Sequence, residues 1–215
     1  MQAFLIIVKT LSIGALIAIQ VAIGAFALAV SVGLLLALAR TFVRNRAVQV
    51  GIAAWSEWMR NVPALAHLFL LYFGLASVGV RLPPVVAACL GLGLVGAAVL
   101  CDVFTAGLRS LHVGQREAAL SVGLTPVQVL RFVLLPQMLR VTLPSLGNYA
   151  SQLVKDTSIA SAIAVPEIMF YARNLVTSTF QTTAIYIGAM LLYAAIVLPV
   201  TWAFARVERR LEASR

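Results

Sequence analysis

Apolar positions in this chain run in long, nearly unbroken stretches rather than in the short alternations of a water-soluble fold. Five stretches can be drawn, at about residues 12–39, 51–73, 84–107, 139–165 and 183–204. Each reaches or exceeds the ~20 residues that carry a helix through the hydrocarbon core of a bilayer. The pattern predicts an all-α, polytopic membrane helix bundle of five spans, folded as one domain over residues 1–215. The first stretch is long enough to tilt or to project from the membrane. Glu57, Arg60 and Pro63 interrupt the second, and the fourth carries Lys155 and Asp156.

The segment at about residues 109–138 breaks this pattern. It is too polar at its start to span and too apolar at its end to be a free loop. Gln115–Val122 is made of good helix formers, and Gly123 stands where a helix would be capped at its C-terminus. Thr125 followed by Pro126 reads as an N-cap with proline at the first helical position, which restarts a helix. Pro136 and Pro144 punctuate the entry to the fourth span. The prediction is a short helix–turn–helix at the membrane surface, a knob suited to a partner's groove.

Composition agrees with a membrane class. Hydrophobic residues make up 62% of the chain and charged residues 11%, with a mean hydropathy of +1.01. Soluble domains are roughly 45–50% apolar and about 25% charged. Disorder is excluded by the same figures. The net charge of +9 would suggest nucleic acid in a soluble protein. Here its distribution gives an orientation instead, and no nucleic-acid partner is expected. Arg40, Arg44, Arg46, Arg109, Arg116, Arg131, Arg140, Arg206, Arg209, Arg210 and Arg215 fall on one side of the predicted spans. Lys9, Arg81 and Arg173 fall on the other. The positive-inside rule places the first set in the cytosol, with the N-terminus outside and the C-terminus inside. Cys89 and Cys101, twelve residues apart in one apolar run, are too distant along a helix for a disulfide and read as small core residues.

The helix–turn–helix also carries a resemblance. Glu117-Ala118-Ala119, then Gly123, then Val133 and Leu135-Pro136 resembles the EAA loop of ABC-importer permeases, with Val133 in place of the usual Ile. Arg60-Asn61-Val62-Pro63, Tyr72-Phe73-Gly74-Leu75, Gly114-Gln115, Gly147-Asn148, Lys155-Asp156-Thr157-Ser158, Val165-Pro166-Glu167 and Glu208-Arg209-Arg210-Leu211 are similar to the polar amino-acid branch of that family. Asp102, Thr105 and Ala106 depart from its Glu…Arg-Gly pattern near the end of the third span. The resemblance implies a multi-pass permease subunit in a bacterial inner membrane, importing a polar amino acid or related zwitterion by alternating access. It implies Gln115, Glu117, Ala118, Ala119, Gly123, Val133, Leu135 and Pro136 as the element that couples to ATPase subunits. The implied partners are a second permease subunit, identical or homologous, two cytosolic ABC ATPases, an extracytoplasmic solute-binding protein and membrane lipid. ATP and Mg would sit on the ATPases, with no cofactor or metal held by this chain. In agreement, no Gly-x-x-x-x-Gly-Lys-Ser/Thr run occurs, so the chain reads as a non-enzyme.

Ionisable groups inside spans are costly and need a reason. Glu57 and Arg60 are spaced to pair on one helix face, either as a structural ion pair or along a solute path. Asp102 could snorkel or could meet a solute ammonium. Asn148, Gln152, Lys155 and Asp156 form one stripe of a helix, which should face the bundle or a water-filled path. Asn148 and Gln152 are the better solute contacts. Lys155, Asp156, Thr157, Ser158 and Glu167 read as gating or structural. His67 reads as a satisfied core residue. Gly91, Gly93 and Gly96 suggest close helix packing.

Overall fold

A computed structural model describes residues 2–212, with side chains from Ile7 to Leu211. Arg215, one of the basic residues used for orientation, lies outside the described residues. The elements are α1 (Gln2–Phe42), α2 (Arg46–Asn61), α3 (Ala64–Ser77), α4 (Pro84–Ser110), α5 (Val113–Ser121), α6 (Pro126–Ile163), α7 (Ile168–Thr179) and α8 (Thr182–Glu212). Helix is the expected answer in lipid, where every backbone polar group must be satisfied internally. Among the described residues, four helices (α1, α4, α6 and α8) are long and apolar enough to cross a membrane, and α2 with α3 makes a fifth, bent pair.

The centre of the bundle is the parallel pair α1 and α4. Ala18, Ala25, Ala29 and Ala37 line one face of α1 and are fully buried. Small residues let two backbones approach without a side-chain layer between them. A Cβ on Gly33 would stand 3.0 Å from the Ala97 carbonyl, and one on Gly93 would stand 3.1 Å from the Ala25 carbonyl. The glycines of α4 thus do pack closely: Gly91 meets Leu68 of α3, and Gly96 lies under the Tyr149 ring of α6. On the other flank of α6, Gly147 lies against Phe204 of α8, and Ser151 Oγ and Thr201 Oγ1 are hydrogen-bonded at 2.9 Å. Cys89 and Cys101 are free, Cys101 buried and Cys89 half-buried.

Three features differ from the sequence expectation. The stretch at 51–73 is not one straight helix. It breaks at Val62–Pro63, and α2 and α3 meet at 101°. Proline has no N–H to donate and pushes the preceding residue out of the helical region, and Val62 sits at φ −93°, ψ 134°. Helix α2 buries only Ile52 and Ser56 and exposes Trp58, as a surface-lying helix does.

The second helix of the knob and the fourth span are one rod, α6, rather than two elements. Pro136 is absorbed by a wide turn at Val129–Leu134, where the Leu135 N–H donates to the Leu130 carbonyl five residues back. Such widening accommodates the carbonyl that a proline leaves without its donor. Pro144 lies within the helix without breaking it. The rod tightens to a 3-10 turn over Thr157–Ile163 and stops at Ala164, whose φ is 62°.

The third difference is α7, a helix that hydropathy did not foreshadow. It packs on the first half of α1, where Gly14 is close enough that a Cβ would meet the Glu167 and Ile168 backbone at 2.7 Å. Ile168, Ala172, Ile185, Leu11 and Ala15 form the core at that end.

Candidate functional site

The surface knob is built from α5, a turn and the first part of α6. His112 caps α5, its Nδ1 accepting from the Gly114 N–H at 3.1 Å. The helix ends through Gly123, whose φ of 86° is open to glycine and penalised in other residues. Its N–H donates to the Leu120 carbonyl at 3.0 Å, and the Leu124 N–H donates to the Ala119 carbonyl at 3.2 Å. Thr125 then forms a reciprocal capping box with Gln128, at 3.4 Å and 2.8 Å. Gln137 Nε2 donates to Gln115 Oε1 at 3.3 Å, tying the two helices together.

Glu117 and Ala118 are exposed at the knob, as is Pro136. Ala119 is turned inward and is buried in a core that also holds Val129, Leu134 and Met138. Its small size serves packing within the knob rather than the fit of the knob into a groove. Val133 and Leu135 are half-buried on the same core.

A second constellation gathers where α1, α2 and α4 come together. Asp102 of α4 meets two arginines: it accepts from Arg40 Nη1 of α1 at 2.6 Å, and Arg60 Nη1 of α2 forms an ion pair with its other oxygen at 2.9 Å. Arg60 Nη2 also pairs with Glu57 Oε1 at 2.5 Å, and Asn61 Nδ2 donates to Glu57 Oε2 at 2.9 Å. The structure therefore brings Glu57, Arg60 and Asp102 together. It adds Arg40, which the sequence did not single out because its partner lies 62 positions away. Both Asp102 oxygens are engaged, so the carboxylate is not open to a solute cation in this conformation.

The third constellation lies on the C-terminal half of α6. Asn148, Gln152 and Lys155 are exposed along one face and Asp156 is half-buried beside them. Gln152 Nε2 donates to Asp156 Oδ1 at 2.8 Å. Thr157 is fully buried and donates to the Val154 carbonyl at 2.7 Å. Lys155 and Ser158 line a cleft of about 380 Å³ with Ser161, Arg173 and Tyr193. Arg173 Nη2 donates to the Ser161 carbonyl at 2.9 Å.

Glu167 is away from this face, wholly buried. It caps α7, accepting from the Phe170 N–H at 2.8 Å, and accepts a second bond from the Tyr193 hydroxyl. Burial pushes its carboxyl above the usual glutamate range, and these donors pull it back. Tyr193 and Arg173 carry no sequence signal for this role, since only the fold brings them to Glu167 and Ser161. His67 is buried with neither ring nitrogen hydrogen-bonded, so it is not the satisfied core residue expected. No group of three or more potential metal ligands occurs among the described residues.

Residues 29–213 match the model of the family described as binding-protein-dependent transport system inner membrane component. The chain belongs to this family. Among family relatives, the probable amino-acid ABC transporter permease protein YckA of Bacillus subtilis is 41% identical over 52% of this chain and 49% of its own. The glutamine transport system permease protein GlnP of Escherichia coli is 30% identical over 84% and 83%. The chain spans about half the length of several of the curated relatives it matches. The fold is similar to a solved amino acid ABC transporter, with a TM-score of 0.84 and 26% identity over 94% of both chains.

Proposed function

We propose that this chain is the transmembrane permease subunit of an ATP-driven, binding-protein-dependent importer for a polar amino acid or related zwitterion. The observation that carries the reading is a fused element: a capped surface helix, α5, joined through Gly123 to a rod that continues across the bundle. Such an element can pass a push at one membrane surface to the pathway. Family membership over residues 29–213 and permease relatives for glutamine and other amino acids point the same way.

In this reading Glu117, Ala118 and the knob around Gly123 dock on an ATPase, with Gln115, Ala119, Val133, Leu135 and Pro136 holding the knob's shape. Two permease subunits enclose the path, two cytosolic ATPases carry the ATP and Mg, and an extracytoplasmic binding protein delivers the solute. The exposed face of Asn148, Gln152 and Lys155 suits a path completed by a second permease chain, since a polar stripe on a span should not meet lipid. Asn148 contacts solute; Gln152 contacts it while holding Asp156. On the positive-inside rule α5 lies inside and the N-terminus outside, and the Arg40–Asp102–Arg60–Glu57 cluster then ties α1, α2 and α4 at the cytosolic surface.

Reconstitution of the chain with its ATPase in vesicles tests this. Binding-protein-stimulated ATP hydrolysis and amino-acid uptake should both appear, and Asn148→Ala should change uptake while leaving assembly intact. Hydrolysis that ignores the binding protein would overturn the importer reading. Unchanged solute range and rate in Asn148→Ala would overturn the pathway assignment.

A further inference from the structure

The end of α1 and the knob enclose a cleft of about 410 Å³ that the coupling reading does not use. Arg44, Arg109, Arg116 and His112 line it, with no carboxylate in its wall. His112 also borders an adjoining cleft of about 480 Å³, which Arg140 lines. Among the described residues, the ion pairs involve Arg40 and Arg60 and none of these four arginines. Guanidinium groups gathered without counter-charge repel one another, so the arrangement favours an anion. Apart from Thr41, the remaining wall is apolar, with Phe42, Leu108 and Leu134.

We propose that this cleft binds the headgroup of an anionic phospholipid from the cytosolic leaflet. Arginine forks match phosphate oxygens by paired hydrogen bonds. The apolar wall is what selects a lipid over free phosphate, since glycerol and the first acyl carbons need an unwetted surface. The position fits as well: α1 and α4, two membrane-length helices, end at the cleft. Basic pockets between spans at the cytosolic surface take anionic headgroups. The lipid would brace the knob, joining the end of α1 to α5 through its phosphate. The leaflet assignment rests on the orientation proposed above; the cleft's chemistry does not.

The test uses the assembled transporter in nanodiscs of phosphatidylcholine, with or without phosphatidylglycerol, followed by detergent stripping and native mass spectrometry. Wild type should retain phosphatidylglycerol selectively. Arg44→Gln with Arg109→Gln should lower that retention by roughly 25-fold, about fivefold for each lost arginine. Arg209→Gln with Arg210→Gln, at the far end of α8, should leave it within about twofold. Equal loss in both double variants would reduce the effect to diffuse surface charge and overturn the site. Displacement of the lipid by inorganic phosphate would show an anion site without lipid selectivity and overturn the lipid assignment. Loss of ATPase co-purification in Arg44→Gln with Arg109→Gln, at unchanged lipid retention, would assign the arginines to a protein contact and overturn it too. Thiol labelling of Val43→Cys in intact cells reads the orientation separately. External labelling there would overturn the leaflet assignment, while a lipid result of either sign leaves the importer reading untouched.

Discussion

At Gly14 the fold leaves no room for a side chain, because the atoms in the way belong to the Glu167–Ile168 backbone rather than to a movable side chain. Gly14→Val should cost roughly 1–3 kcal/mol, the usual range for overpacking, read as a lowered melting temperature of the detergent-purified complex. The Arg40–Asp102–Arg60 cluster makes a different prediction. Asp102→Asn leaves Arg40 without its ion-pair partner and Arg60 with Glu57 alone. All three side chains are about one-third exposed, so water softens the loss. The expected destabilisation is about 1–2 kcal/mol, nearer to a surface pair than to a buried one. Glu57→Gln should cost less, since Asp102 keeps both arginines. Equal melting temperatures for Asp102→Asn and wild type would show that the cluster does not hold α1, α2 and α4 together.

Among the elements, the knob has the sharpest requirement. A Cβ on Gly123 would meet nothing within 4 Å, yet its φ is 86°, so the penalty is in the backbone alone. Asn visits the left-handed region far more readily than a β-branched residue. Gly123→Asn should therefore keep ATPase association and coupled hydrolysis near wild type, while Gly123→Val weakens both. Equal behaviour of the two variants would mean the turn can be reshaped without consequence. This knob was legible because its signals are local: Gly123, Thr125 and Pro126 act within a few residues of themselves. The cores of α1, α4 and α8 were legible because long apolar runs have one stable outcome in lipid. Pro63 was visible as an interruption, but the sharp bend there was not, because hydropathy averaged over 51–73 hides that α2 buries one side only. Nor was the continuity of α6, since a proline reads as punctuation until a wide turn absorbs it. The partners Arg40–Asp102 and Glu167–Tyr193 are distant in sequence, and a single sequence holds no record of such pairings.

For the whole molecule, basic residues gather where α1, α4 and α8 end, and α5 lies on that same side. Cysteines introduced near Arg44 should resist impermeant thiol reagents in intact cells, and cysteines near Val78 or Thr177 should react. The reverse pattern would invert the orientation. Single-cysteine replacements along Asn148, Gln152 and Lys155 extend the test to assembly. In the complex they should become more shielded from lipid-soluble quenchers than cysteines at Leu16 or Ile23, which α1 turns outward. Equal quenching along both sets would mean that a second permease chain does not cover this face of α6.

The unbroken course of α6 from Pro126 to Ile163 has a mechanical corollary. A helix of that length is about 57 Å long at 1.5 Å per residue. Pivoting it by about 5° around its midpoint moves each end by roughly 2.5 Å, in opposite directions. Its N-terminal end is the wall of the knob, and its C-terminal end is the turn carrying Lys155, Thr157 and Ser158. A lever of this kind needs no relay of side chains between its two ends. The compliant place along it is the wide turn at Val129–Leu134, whose stiffness would set how much of a stroke at the knob reached the other end.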